Sequence, residues 1–274
     1  MSRDTIPGRN IALGTTLALV SLAVIAPLAA VVLSLNGITP EHLARAIASP
    51  DAIAAFRLTF VASLVAALID LVLGSFVAWI LVRYQFPGRP VLDALVDVPL
   101  AIPTAVTGIT LATIYGGHGF LGAWLEPHGI HVAYTQIGVA LALVFVGFPF
   151  VVRTVQPVLA EIPKDLEEAT SSFGAGQTLT LRRVIFPIVF PAMLTGFALS
   201  LARALGEYGS VVFIAGNLPG KTEIAPLLII TRLEEYDYQG ASAVATVLLI
   251  ASFGMLLAIN ALQRRFSLAR KMAT

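Results

Sequence analysis

No cysteine occurs anywhere in these 274 residues, which excludes disulfides, thiolate metal sites and cysteine nucleophiles together. Charge is scarce as well: 12% of residues are Asp, Glu, Lys or Arg, against roughly 25% in a water-soluble domain. The four histidines (His42, His118, His128, His131) are spaced like no standard zinc pattern, so no metal site is expected. A Walker-type phosphate loop is also missing: Gly220-Lys221 lacks the flanking pattern, so the chain itself is expected to bind no ATP and no other cofactor. The formal net charge of +1 decides nothing in the sum, and no nucleic-acid partner is expected.

What is abundant is apolar. Hydrophobic residues make up 57% of the chain and the mean hydropathy is +0.88. Several apolar runs exceed the roughly 20 residues that a helix needs to cross a hydrocarbon core of about 30 Å. The reading is one all-α integral membrane domain, 1–274, with six spans at about 11–35, 58–82, 94–115, 134–155, 187–215 and 241–262. The first run is too long for the apolar part of a signal peptide, about 7–15 residues, and is expected to be a retained span. Asp70 falls inside the second span, Pro99 and Pro103 inside the third, and Pro149 inside the fourth.

Twelve Lys and Arg residues, among them Arg83, Arg89, Arg153, Arg182 and Arg183, flank one set of span ends. Four (Arg45, Arg57, Lys221, Arg232) flank the other. The positive-inside rule then places both termini in the cytoplasm, which an even number of spans permits. Asn36–Arg57, punctuated by Pro40 and Pro50, reads as a short interfacial helix on the outer side.

The longest hydrophilic, helix-patterned stretch on the basic side is the loop at about 161–186. Pro163 suits a first helical turn, and Asp165, Glu167 and Glu168 place negative charge at the positive end of the helix dipole. Gly174 and Gly176 break that helix, and a second stretch near 178–185 leads into Pro187. In the fifth span Arg203 and Glu207, four apart, share a helix face and can pair. Ionisable groups are costly there, about 2.5–3.5 kcal/mol each on insertion scales, so they face a partner or an aqueous path. Gly206, Gly209 and Gly216 allow close helix packing.

The loop resembles the signature of permease subunits of bacterial ABC importers: Glu-Ala-Ala, three residues, Gly, nine residues, Ile, one residue, Leu-Pro. Here it reads Glu168-Ala169-Thr170, Gly174, Val184 and Phe186-Pro187, every gap preserved, with Thr170, Val184 and Phe186 departing in type. The segments ARALGEYGSVVFIAGNLPGKTEIAPLLI (202–229) and RLEEYDYQGASAVA (232–245) are similar to sulfate/thiosulfate permeases, the T-type subunit more than the W-type.

The resemblance implies the type I ABC importer permease fold in a bacterial inner membrane, with the 164–172 helix as a cytoplasmic coupling helix. Glu168 would orient that helix and Gly174 would set its joint. Implied partners are a second, W-type permease, two ATP-binding subunits that hold ATP and magnesium, a periplasmic sulfate/thiosulfate-binding protein, and membrane lipid. Arg203, Glu207 and Gly209 become candidates for the translocation path, and alternating access the expected mechanism. Moving a dianion into a negative-inside cell costs about 4.6 kcal/mol per 100 mV, which ATP hydrolysis can offset. Two alternatives stay open: a permease for molybdate or tungstate, and an ion-coupled secondary transporter using Asp70 and Glu207.

Overall fold

The computed structural model describes residues 8–271 apart from 164, 167–169, 171, 173 and 175. Among the described residues the regular structure is entirely helical. Among the described residues five helices are long and apolar enough to cross a membrane. They are α1 (Asn10–Leu33), α3 (Pro50–Arg83), α7 (Gln136–Glu161), α8 (Gln177–Leu205) and α11 (Tyr238–Lys271). Where the third span is expected, at 94–115, lie the end of α4 (Arg89–Val96), α5 (Val98–Ala101) and the 12-residue apolar α6 (Thr104–Tyr115), none long enough by itself to cross a membrane.

Proline explains the fragmentation. Pro103 has no N–H to donate and disfavours helix at the residue before it. Ile102 accordingly turns to extended backbone (φ −86°, ψ 134°) between α5 and α6. Within α8, Pro187 would press its ring on the carbonyl four residues back. The helix widens into a π-type turn over Leu181–Ile185, just before it, and continues unbroken.

The outer connections differ from expectation in two places. The interfacial helix is α2 (Pro40–Ala48), capped by the Thr39 hydroxyl accepting from His42 N–H. The second span then starts at Pro50 rather than Leu58, because the Ser49 hydroxyl accepts the Ala52 N–H and Pro50 fits the first turn. Farther along, the expected continuous fifth span is two helices, α8 and α9 (Gly209–Ala215), followed by α10 (Ala225–Glu234).

α3, α7 and α8 form the centre of the bundle, with small residues at their contacts. Ala62, Ala66, Val139, Ala142 and Leu143 pack with Ala204, Val211 and Ile214 toward one end. Ala78, Leu81, Val151, Val152 and Val155 pack with Ile185 and Val189 toward the other. α1 stands outside this core: no residue of its apolar span is buried, and its second half meets α11.

Candidate functional site: a polar break and a coupling segment

The interruption between α8 and α9 is built by one carboxylate. Glu207 Oε1 accepts the Ser210 backbone N–H at 2.8 Å and the Ser210 hydroxyl at 2.9 Å. This local bond offers the chain an alternative to helix, and it holds the turn at Gly206–Tyr208. The other oxygen, Oε2, lies 2.6 Å from Arg203 Nη2. The expected i, i+4 pair is therefore formed, with Glu207 enclosed and the Arg203 side chain 32% exposed. Its guanidinium is thus paired with one carboxylate while the side chain stays partly exposed.

The break meets a second one. A Cβ on Gly209 would run into Thr104 Oγ1, and a Cβ on Gly108 into the backbone carbonyl of Ser210. The starts of α6 and α9 are therefore backbone-close, which only glycine at these two positions permits. The expected packing role of Gly209 is met there. Gly206 has open space around it, whereas Gly216 is needed for its left-handed backbone (φ 71°) beside Tyr134.

Deeper in the bundle, Asp70 on α3 is fully buried. The Ser200 hydroxyl of α8 donates to its Oδ2 at 2.6 Å, and Gly147 of α7 leaves the room for both. Three helices thus converge on one carboxyl, whose Oδ1 has no hydrogen-bond partner among the described residues.

At the other end lies the segment expected to couple to the ATP-binding subunits. Glu168 and Ala169 lie outside the described residues. Gly174 adopts φ +78°, the left-handed conformation expected of a joint. The Thr170 and Thr180 hydroxyls are 2.9 Å apart, tying the segment to the first turn of α8, where Thr180 is buried. The second stretch of the loop is continuous with the span: Val184, half-buried, sits in the π-type turn beside buried Ile185, and Pro187 is exposed. Phe186 departs from the signature on the exposed side of the helix.

Toward the same end of the bundle stands a cluster that sequence reasoning missed. Arg153 of α7 makes paired hydrogen bonds to Asp97, Nε to Oδ1 at 2.8 Å and Nη2 to Oδ2 at 2.7 Å. It also reaches Asp93 Oδ1 at 2.6 Å, the Asp93 carbonyl at 2.7 Å and Gln156 at 2.6 Å. The Arg153 guanidinium holds the Asp93 carboxyl below the usual carboxylate range. Asp93 and Asp97, four apart on the chain, were the available signal for a shared cation.

On the outer side, Glu223 is buried near the start of α10 and accepts from the Thr231 hydroxyl at 3.1 Å. Burial raises its pKa, and the nearby Asp51 adds to the rise. Thr59 of α3 anchors the same segment by accepting the Ala225 N–H at 2.8 Å. The histidines make pairwise contacts, His42 with Asp237 at 2.9 Å and His131 with Glu126 at 3.9 Å. Among the described residues no group of three or more metal-ligating side chains occurs.

Comparison with known proteins follows the same lines. Residues 70–271 match the family described as binding-protein-dependent transport system inner membrane component. The chain is 46% identical to the sulfate transport system permease protein CysT of Salmonella typhimurium, over 97% of this chain and 96% of that one. It is 46% identical to the Synechocystis protein of the same name, covering 89% and 85% of the two. Against the probable sulfate transport system permease of Nephroselmis olivacea it is 53% identical, covering 78% and 76%.

Among solved structures, a bacterial ABC transporter that imports the acidic polysaccharide alginate superposes with a TM-score of 0.77, at 15% identity over 93% of this chain and 94% of that one. An amino acid ABC transporter superposes with a TM-score of 0.57 at 18% identity, over 83% and 100%. At these identities the likeness shows the fold alone.

Proposed function

The chain belongs to the binding-protein-dependent transport system inner membrane components, within them to the CysT group of sulfate permeases; from that premise we propose that it imports sulfate, and thiosulfate with it, as one permease half of an ATP-driven complex. The observation that carries this reading is the 46% identity along essentially the whole of both chains to a protein named as a sulfate permease.

The geometry supports the same assignment. Two helix breaks meet at the Gly209–Thr104 contact, and Arg203, with its side chain 32% exposed, lies on the last turn of α8 just before one of them. Positive helix ends and a guanidinium suit a divalent oxyanion, and non-helical backbone within a membrane is tolerated where it lines a cavity. In this reading the path runs past Arg203, Glu207 and Gly209. Asp70 is held by Ser200 and Glu207 by Arg203 and Ser210, so both membrane carboxylates serve to fix helices rather than to carry protons.

The expected complex contains a W-type second permease, two ATP-binding subunits holding ATP and magnesium, and a periplasmic binding protein that delivers the anion. This chain would bind no cofactor and catalyse no reaction itself. Both termini would face the cytoplasm of a bacterial inner membrane. Force from the ATP-binding subunits would enter through Glu168, Ala169, Thr170 and the Gly174 joint. It would pass by way of Val184 and Pro187 into α8, rocking the two permeases between inward and outward states.

Radiolabelled sulfate uptake in a strain deleted for this permease is the direct test. Complementation that requires ATP and is competed by thiosulfate meets the proposal. Uptake of molybdate or tungstate in place of sulfate would reassign the anion, and uptake driven by a proton gradient without the ATP-binding subunits would overturn it.

A further inference from the structure

A pocket of about 400 Å³ opens beside the outer part of α3, away from the helix breaks, with Ile53, Arg57 and Val61 on one wall and Gln136 and Lys221 on the other. The Gln136 side chain donates to the Lys221 carbonyl at 2.9 Å, which fixes the loop that brings the lysine there. Arg57 and Lys221 are both exposed, and among the described residues neither forms an ion pair. Two unpaired cations in one apolar-walled pocket call for an anion with apolar parts.

Depth identifies it. α3 has 34 residues, about 51 Å of helix, which overhangs a 30 Å hydrocarbon core by about 10 Å at each end. Arg57 is seven residues from the Pro50 end, about 10 Å, so it stands where hydrocarbon gives way to phosphate. From Arg57 the same helix face continues as Val61, Leu64, Leu68 and Val72, all exposed. That lane is about 22 Å long, enough to line one leaflet's hydrocarbon, roughly 15 Å deep. The apolar stem of Arg57 can lie along the lane while its head stays at the phosphate level.

We propose that this pocket and lane form a specific site for an anionic phospholipid, its phosphate between Arg57 and Lys221 and an acyl chain along Val61–Val72. A second permease on this face would cover the lane and exclude lipid. A free oxyanion would use the cations but not the lane.

The test uses the assembled complex with Trp79→Phe and Trp124→Phe, and Val61→Trp as a reporter, in vesicles containing brominated phosphatidylglycerol or brominated phosphatidylcholine. Quenching should show at least a fivefold preference for phosphatidylglycerol, about the effect of one cation. Arg57→Gln with Lys221→Gln should bring that preference to about one. Equal quenching by the two lipids, or a preference that survives the double substitution, overturns the site. Absence of quenching by either lipid shows a protein-covered face and overturns it too. Loss of the preference in inorganic sulfate at constant ionic strength marks a free-oxyanion pocket and likewise overturns the lipid site. A reporter-free check is mass spectrometry of the intact complex from mixed lipid. Retained phosphatidylglycerol should be lost on Arg57→Gln, and a wild-type complex retaining none refutes the proposal.

Discussion

Arg203 Nη2 lies 2.6 Å from Glu207 Oε2, so a single ion pair spans the last turn of α8 and the break that follows it. The two partners are unequal: Glu207 is enclosed, while the Arg203 side chain is partly exposed. Removing the arginine strands a buried carboxylate, a loss that costs about 3 kcal/mol when such a pair is broken. Arg203→Leu should therefore unfold at markedly lower denaturant and abolish sulfate uptake. Glu207→Gln, which keeps an acceptor for Ser210, should cost less stability. Detergent-phase unfolding and uptake of the two variants, measured side by side, check the asymmetry; equal losses would refute it.

The closeness of the two breaks makes a sharper prediction. Gly209→Ala places a methyl against Thr104 Oγ1, and overpacking of this kind costs about 1–3 kcal/mol. Adding Thr104→Ala removes the hydroxyl and should restore part of the stability. Gly206→Ala, with open space around its Cβ position, should be nearly silent. Thermal inactivation of the four proteins, including the double variant, gives the comparison. Failure of Thr104→Ala to rescue would separate the two helix starts.

Legibility from sequence follows the range of the forces involved. The long spans can be read because a run of some 20 apolar residues has one solution in a bilayer: α3 and α11 contain the expected segments, and α7 all but the first two residues of its own. Hydropathy carries the fifth span straight through Gly206–Tyr208. What stops the helix is one side-chain bond, Glu207 to Ser210, that hydropathy does not weigh. Pro99 and Pro103 are visible in sequence, but the division of the region into three short helices is not. The Arg203–Glu207 pair is legible because it obeys helix spacing. The Arg153 cluster is not, because its partners lie 56 and 60 residues away.

At the coupling end, the positive φ of Gly174 sets the expected cost of a side chain. Left-handed backbone disfavours an L-residue by about 1–2 kcal/mol, so Gly174→Ala should shift the loop rather than unfold the bundle. Gly174→Asn, which tolerates that conformation better, should be milder. In reconstituted vesicles Gly174→Ala should keep ATP hydrolysis while sulfate import falls at least severalfold. Unchanged import per ATP in both variants would remove the joint from the mechanism.

Glu223 gives a pH dependence with a definite sign. Burial raises its pKa in the folded protein above the ordinary value of 4.5. The folded state therefore binds more protons than the unfolded state in the window above that value. By linkage, stability is fully present below about pH 4.5 and declines as pH rises through the folded pKa. Glu223→Gln keeps an acceptor for Thr231 and has no charge to bury, so it should flatten this slope and match or exceed the native protein's stability at neutral pH. Asp93 works in the opposite direction: Arg153 lowers its pKa, so its contribution is lost only as pH falls below the usual carboxylate range. Unfolding midpoints of Glu223→Gln and native protein across pH 4–8 should converge at the acid end and diverge toward neutrality; parallel curves would show that Glu223 titrates as an ordinary surface carboxylate.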